Sequence, residues 1–249
     1  MDLNLLFIAL PIIGFLAYIV KCTTGFGTAI VIVSLGSLVM GTHEAVILTA
    51  LLDTIGGTVL YVMDPVSDGR KFWVPLATAM IVGTVIGAMF LAMIPAAQFD
   101  ILLGVFITGL GAWFMFSRSK VDESGFNHNI PDRPSGGDLM VSVFSGICGG
   151  LFAVGGPPIV YWFGRTYGRL PFRRTLIVVF YTATVARAIT YGFGGLIDGH
   201  QITLSLIGTP GVLLGIVVGN HVHKRLTEKT FSKLIGIVMF IIGIRLFFK

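Results

Sequence analysis

The segments Thr23-Thr24-Gly25-Phe26 and Gly155-Gly156-Pro157-Pro158 each interrupt a stretch of apolar sequence, and together they decide how this chain folds. The first begins at residue 23 and the second at residue 155, a separation of 132 residues. Glycine and proline in these patterns predict breaks in helices. Lipid cannot hydrogen-bond the backbone groups that a break leaves unpaired, so a break at membrane depth must be buried in protein or line a solute cavity. The paired breaks therefore indicate a transporter.

The composition of the chain is that of an integral membrane protein. Of its 249 residues, 55% are hydrophobic and 12% are charged, and the mean hydropathy is +0.91. The 17 Lys and Arg exceed the 12 Asp and Glu, which we assign to cytoplasmic loops and not to a nucleic-acid partner. Cys22 and Cys148 lie in apolar sequence without Cys-x-x-Cys spacing, so neither a metal site nor a disulfide framework is predicted, and no cofactor is expected.

Apolar stretches of the length that a bilayer requires recur along the chain. They are Leu3–Val20, Ala45–Met63, Phe72–Ile94, Ile101–Phe116, Leu176–Phe193, Thr203–Val222 and Leu234–Phe248. Two other apolar pieces are interpreted as half-helices. Thr28–Met40 is short, and Leu139–Tyr161 is predicted to be split at Gly149-Gly150 and again at the second break.

A shift of 132 residues superposes glycines in the two halves without a gap, for example Gly14 on Gly146 and Gly83 on Gly215. We predict a duplication with a first repeat over residues 1–117, a cytoplasmic linker over 118–137 and a second repeat over 138–249. The predicted fold is all-α. It is a polytopic membrane protein with two inverted repeats, each containing a broken or re-entrant helical hairpin plus three transmembrane helices.

The distribution of Lys and Arg predicts the orientation of the chain. If each broken segment returns to the side from which it started, the two halves are inverted and most loop-region Lys and Arg face the cytoplasm. Both termini are then outside. The first apolar run has no basic region before it and is predicted to be a retained membrane segment.

The two breaks predict an anion-binding site. Lys21 stands just before the first break, and glycines there expose backbone N–H groups at the start of a half-helix, where the helix dipole supplies about half a positive charge. The second break has the same construction, with proline suited to the first helical turn. The alternative interpretation is that the glycines only permit tight helix packing, as expected for Gly83-x-x-x-Gly87 and Gly211-x-x-x-Gly215-x-x-x-Gly219.

Two charges inside predicted spans, Asp53 and Arg187, are costly at membrane depth. They are interpreted either as a structural ion pair or as a substrate clamp, Arg187, beside a coupling or orienting residue, Asp53. Threonines near the breaks either donate to a substrate or hydrogen-bond their own helix. The predicted substrate-binding residues are Lys21, Thr23, Thr24, Gly25, Gly27, Thr28, Gly155, Gly156, Pro157 and Arg187.

Around Lys21–Gly27 and Gly146–Pro158 the chain resembles the sulfite exporter TauE/SafE family of bacterial membrane permeases. The resemblance implies movement of sulfite, organosulfonates or related sulfur-containing anions across the bacterial cytoplasmic (inner) membrane. We expect export by alternating access, with an anion channel or a permease for another small organic anion, such as a carboxylate, as alternatives. The expected partners are a small anionic substrate and the lipid bilayer, and the Gly-x-x-x-Gly faces also allow a homodimer. Enzyme motifs are lacking in the sequence, and no enzymatic activity is predicted.

Overall fold

The structure, a computed structural model, describes residues 3–63, 69–116, 131–166 and 173–222. Within these ranges the chain forms nine α-helices and no strand. The helices are α1 (Leu3–Thr24), α2 (Thr28–Val39), α3 (Thr42–Met63), α4 (Arg70–Met93), α5 (Ala96–Phe116), α6 (Gly136–Phe152), α7 (Gly156–Thr166), α8 (Arg173–Phe193) and α9 (Gly199–Val222).

Most of the predicted spans are present as helices of the required length. Five helices, α1, α3, α4, α8 and α9, are long and apolar enough to cross a membrane, and the protein is therefore a multi-pass membrane protein. The predicted span Leu234–Phe248 lies outside the described residues. So do residues 118–130 of the predicted linker and the basic residues that follow α9.

Both predicted breaks interrupt helices. The first separates α1 from α2 at residues 25–27, and the second separates α6 from α7 at residues 153–155. The predicted split at Gly149-Gly150 is wrong, because α6 continues through both glycines to Phe152. Gly150 serves packing instead: a Cβ atom there would lie 2.1 Å from the Thr84 carbonyl oxygen of α4.

The two breaks do not occupy equivalent places under the 132-residue shift. The first helix of the first half extends about one turn further than α6 does. Thr23 lies in this extra turn, and its hydroxyl donates to the carbonyl oxygens of Ile19 and Val20 at 3.0 and 2.8 Å.

The chain divides into two compact units. The first unit contains Met1–Leu52, Met93–Ser119 and Ile197–Lys249, and the second contains Asp53–Ala92 and Lys120–Leu196. Each unit thus combines segments from both halves of the sequence. The predicted repeats, residues 1–117 and 138–249, divide the chain along the sequence, whereas the compact units divide it in space. The duplication therefore stays a prediction.

Glycines bring helices into backbone contact inside each unit. In the first unit α1 packs against α9, and a Cβ atom on Gly211 would lie 1.8 Å from the Pro11 carbonyl oxygen. In the second unit α4 packs against α6, and a Cβ atom on Gly83 would lie 2.1 Å from the Val143 carbonyl oxygen. The predicted packing role of the Gly-x-x-x-Gly motifs is confirmed at these contacts.

A buried apolar cluster in the second unit holds α7 in place. Phe72 of α4 and Phe163 of α7 meet edge to face, with ring centroids 6.2 Å apart. Ile159 of α7 and Val179 of α8 are fully buried in the same cluster. The half-helix that follows the second break is therefore packed against both α4 and α8.

Candidate functional site

The second break lies at the tip of an antiparallel helical hairpin formed by α6 and α7. At the tip, a Cβ atom on Gly155 would lie 3.1 Å from the Gly149 Cα atom. At the other end, Trp162 Nε1 of α7 donates to Asp138 Oδ1 of α6 at 2.8 Å. Contacts near both ends show that α7 turns back along α6. Asp138 also forms a capping box with Ser135 that begins α6.

The backbone at this break has the features that the sequence predicts for a helix restart. Ala153 ends α6 with φ 63°, in the left-handed region. Pro157 and Pro158 lie in the first turn of α7. Proline is tolerated there because N–H groups of the first turn have no acceptor within the helix. Gly155 is tightly enclosed, since a Cβ atom there would lie 2.5 Å from the Ser145 carbonyl oxygen.

Two side chains of α8 cap the C-terminal end of α6. The last four carbonyl groups of a helix have no partner within the helix, and α6 ends at Phe152. Arg187 Nη1 donates to the Gly149 carbonyl oxygen at 3.0 Å, and the Tyr191 hydroxyl donates to the Gly150 carbonyl oxygen at 2.5 Å. The positive charge of Arg187 also lies at the negative end of the α6 dipole, which is stabilising.

Arg187 and Asp53 form an ion pair. Arg187 Nη2 lies 3.7 Å from Asp53 Oδ2, and the residues are 3% and 5% exposed. The structure thus brings together the two charges that the sequence predicts at comparable depth. Their contact fits both interpretations of the pair, and the role of each residue in transport stays a prediction.

The guanidinium of Arg187 is only partly satisfied. Among the described residues, neither Nε nor Nη2 has a hydrogen-bond acceptor. A buried donor without a partner costs about 1–3 kcal/mol, and more when it belongs to a charged group. The arrangement can accept a guest that carries oxygen atoms and a negative charge, since such a guest satisfies both donors at once.

The first break lies in the first unit and has a different construction. Gly25 and Gly27 have φ of 83° and 97°, both in the left-handed region, and Gly27 caps α2 without a side-chain hydrogen bond. Thr28, the first residue of α2, is buried. Lys21 is 6% exposed, and its Nζ lies 5.3 Å from the centroid of the Tyr18 ring.

Thr23 and Thr24 lie at the end of α1, beside the first break. The Thr23 hydroxyl donates to carbonyl oxygens of its own helix, as the alternative interpretation expects, and its role in substrate binding stays a prediction. The side chain of Thr24 lies outside the described part of the structure. The two breaks belong to different compact units. The expectation that they line one site with Lys21 and Arg187 stays a prediction.

Tyr191 is a residue of this site that is not predicted from the sequence. It is fully buried, and it lies one helical turn after Arg187 on the same face of α8. The spacing of four residues from a membrane-depth arginine is the signal that points to it. No group of three or more His, Cys, Asp or Glu placed to hold a metal occurs in the described ranges.

These features define a multi-pass helical membrane protein with a charged, partly satisfied site beside a broken helix. The chain belongs to the sulfite exporter TauE/SafE family, whose model matches residues 10–246. The predicted resemblance is confirmed. The description of this family as exporters is consistent with the expectation of no enzymatic activity, which stays a prediction.

A curated relative adds a more specific comparison. A protein of Cupriavidus necator described as "Probable sulfite/organosulfonate exporter TauE" is 29% identical over 115 residues. The match covers 43% of this chain and 45% of the relative, so it spans less than half of either protein. No solved structure matches the chain.

Proposed function

We propose that the protein exports small sulfur-containing oxyanions, such as sulfite or organosulfonates, across the bacterial cytoplasmic membrane by alternating access. The observation that carries this proposal is the buried guanidinium of Arg187. Its Nε and Nη2 atoms have no hydrogen-bond acceptor among the described residues. The planar guanidinium suits an oxyanion because two parallel N–H groups match two oxygens. The printed name of the Cupriavidus necator relative supports the same class of substrate.

Backbone N–H groups at the starts of α2 and α7 are the second part of the proposal. Gly155, Gly156 and Pro157 bound the start of α7, and an anion near this end is stabilised by the helix dipole. In the first unit, Lys21 and the N-terminus of α2 supply the same chemistry. We assign both elements to substrate binding.

The hairpin of α6 and α7 supports inverted repeats. A hairpin that returns to its starting side adds no net crossing, so a half with three further spans ends on the opposite side of the membrane. The second half would then enter the bilayer from the other face, and both termini would lie outside. The contact between Trp162 and Asp138 supports the return of α7.

The membrane potential favours the proposed direction. An inside-negative potential expels an anion with about 2.3 kcal/mol per charge per 100 mV. An exporter of a monovalent anion therefore needs no coupling ion, whereas an importer does. A carboxylate permease is a second candidate, because a guanidinium edge binds a carboxylate in the same way.

Flux measurements test the proposal. Purified protein in liposomes should carry sulfite and methanesulfonate, with a rate that saturates as the anion concentration rises, and the Arg187→Met protein should lose this flux. Arg70→Met is the matched control, because Arg70 is exposed at the start of α4. A nonsaturating current would identify a channel instead.

Arg187 also caps α6, so a second variant separates binding from folding. Arg187→Lys keeps the positive charge near the Gly149 carbonyl oxygen but lacks the planar pair of donors. We expect it to remain folded and to lose most of the flux. Wild-type flux in a folded Arg187→Lys or Arg187→Met protein would overturn the proposal.

A further inference from the structure

We propose that the hydroxyl of Ser145 is a further donor of the site at Arg187, and that it selects anions with three oxygens on one atom, such as sulfite and sulfonates, over carboxylates. The inference rests on the proposed function, in which Arg187 binds the substrate. It adds a binding residue and a physical reason for the preference between the two candidate substrate classes.

The hydroxyl of Ser145 is a buried donor without a partner. Ser145 is 0% exposed, and its Oγ atom has no hydrogen-bond partner within the ranges that the structure describes. A serine in a helix can donate to the carbonyl oxygen three or four residues before it, as Ser142 does to Asp138 at 2.7 Å. Ser145 does not make this bond. A buried hydroxyl without a partner is unfavourable, so a guest that accepts from it is stabilised.

Ser145 lies close to the residue that Arg187 contacts. Ser145 and Gly149 are one turn apart on the same face of α6, about 6 Å along the helix. Gly155 lies against both, since a Cβ atom there would lie 2.5 Å from the Ser145 carbonyl oxygen and 3.1 Å from the Gly149 Cα atom. The Gly149 carbonyl oxygen accepts from Arg187 Nη1 at 3.0 Å. All four residues belong to the second unit.

The start of α7, on the same side of α6, lacks some of the donors that a helix N-terminus usually offers. The first four N–H groups of a helix have no acceptor within it. In α7 these positions are Gly156, Pro157, Pro158 and Ile159, and proline has no N–H. This helix end therefore keeps its partial positive charge but offers two N–H groups and not four. A hydroxyl from the adjacent face of α6 supplies a hydrogen bond that the prolines cannot.

The number of oxygens on the guest determines whether it uses this hydroxyl. Nε and Nη2 of Arg187 share one edge of the guanidinium, and both lack an acceptor among the described residues. This edge binds two oxygens of one carboxylate, sulfite or sulfonate group. A carboxylate has no third oxygen. Sulfite and sulfonates have one, and because sulfur is pyramidal or tetrahedral in these anions, the third oxygen lies outside the plane of the guanidinium and can accept from Ser145.

The experiment compares three anions that each carry one negative charge and one methyl group. Methanesulfonate has three oxygens on sulfur, methanesulfinate has two oxygens on sulfur, and acetate has two oxygens on carbon. Since the charge is the same, Asp53 beside Arg187 and the helix dipoles act similarly on all three. The melting temperature of the purified protein is recorded against the concentration of each anion, because a ligand that binds the native state stabilises it as RT ln(1 + [L]/Kd).

We expect the wild-type protein to bind methanesulfonate at least about tenfold more tightly than methanesulfinate or acetate, as for one further hydrogen bond to a charged group. Ser145→Ala should weaken the binding of methanesulfonate by about the same factor and leave the other two affinities unchanged. Its melting temperature without anion should not fall, because the hydroxyl that it removes has no partner among the described residues.

Ser142→Ala is the matched control. Ser142 lies on the same helix and is equally buried, but its hydroxyl already donates to the Asp138 carbonyl oxygen. This variant should keep the wild-type ratio of the three affinities. A purely structural role of Ser145 would weaken the binding of all three anions alike in Ser145→Ala, which would contradict the assignment.

A second measurement keeps the test decisive if Ser145→Ala does not fold. In liposomes with wild-type protein, unlabelled methanesulfonate should inhibit the flux of labelled methanesulfonate at a concentration about tenfold lower than methanesulfinate requires. Equal inhibition by the two anions, or an unchanged affinity ratio in a folded Ser145→Ala protein, would overturn the role of Ser145. Failure of every oxyanion to bind or to be transported would instead overturn the proposed function.

Discussion

Arg187 connects the end of one helix to a charged residue of another, so the side chain proposed to bind the substrate also has a structural role. One of its terminal nitrogens caps α6 at Gly149, and the other lies beside Asp53. The cap fixes the plane of the guanidinium, since a hydrogen bond to one nitrogen of a rigid fork orients the rest. A substrate that binds the remaining edge therefore meets donors that are already in position.

Replacing Tyr191 by phenylalanine tests the second cap of α6. The change leaves the Gly150 carbonyl oxygen without the Tyr191 hydroxyl, and we expect a loss of stability of about 1–3 kcal/mol. Tyr181→Phe is the matched control, because the hydroxyl of Tyr181 meets that of Thr58 at 3.1 Å in an exposed contact. Its effect should stay within about 0.5 kcal/mol. Thermal unfolding in detergent measures both, and equal losses would contradict the capping role.

The sequence predicts the charged residues of this site better than their neutral partners. Asp53 and Arg187 are conspicuous because a charge within an apolar span is costly. Tyr191 has only an indirect signal, its spacing of four residues from Arg187, and the Gly149 carbonyl group has none, since every residue carries a backbone carbonyl. The partner of a charge depends on how α8 packs against α6, and that packing is not encoded in the local pattern.

At the scale of helices, glycine has two meanings that the sequence alone does not separate. Gly25 and Gly27 have positive φ and separate α1 from α2, whereas Gly150 lies inside α6 and permits close contact with α4. Local composition is similar in both cases, so the sequence predicts the true breaks together with a false one at Gly149-Gly150. The span boundaries are predicted well, because they follow from hydropathy.

Gly87 tests the contact between α4 and α6. In Gly87→Ala, the new Cβ atom would lie 2.2 Å from the Ile147 carbonyl oxygen, so the helices must separate. We expect a loss of about 1–3 kcal/mol. Gly109→Ala is the control, because no heavy atom of the described structure lies within 4 Å of a Cβ atom there. Alanine should leave α5 unchanged or stabilise it, since it favours helix over glycine. Equal melting temperatures of the two variants would argue against the contact.

The hairpin of α6 and α7 is tested at its base. Trp162→Phe removes the N–H that donates to the buried Asp138, and we expect a loss of about 1.5–3 kcal/mol, as for a hydrogen bond to a charged group. Trp73→Phe removes an indole N–H that has no partner among the described residues. It should therefore be the milder change. Thermal unfolding of the two variants decides this, and a milder effect at Trp162 would show that the hydrogen bond does not hold the hairpin.

At the scale of the whole molecule, the compact units cross the boundary between the sequence halves. The first unit pairs α1 of the first half with α9 of the second, and the second unit pairs α6 of the second half with α4 of the first. These pairings join the first helix of one half to the fourth helix of the other, so they correspond under the 132-residue shift. Neither half retains these contacts when it is alone.

Cutting the chain between residues 125 and 126 tests this dependence. Separately expressed fragments should aggregate or be degraded, because Gly211 of α9 then lacks Pro11 of α1, and Gly146 of α6 lacks Met80 of α4. Helix association in lipid is stabilised by close packing at small residues. A glycine-lined helix surface without its partner helix therefore loses this stabilisation. Co-expressed fragments should copurify through a tag on one of them and melt cooperatively.

The Gly87 and Gly109 variants supply the control for the split protein. Gly87→Ala in the first fragment should lower the yield of the copurified pair, and Gly109→Ala should not, because Gly87, unlike Gly109, faces the backbone of the other fragment. A single fragment that is folded, monodisperse and cooperative in melting would contradict the dependence. It would mean that each half buries its own helices, which is incompatible with units assembled from both.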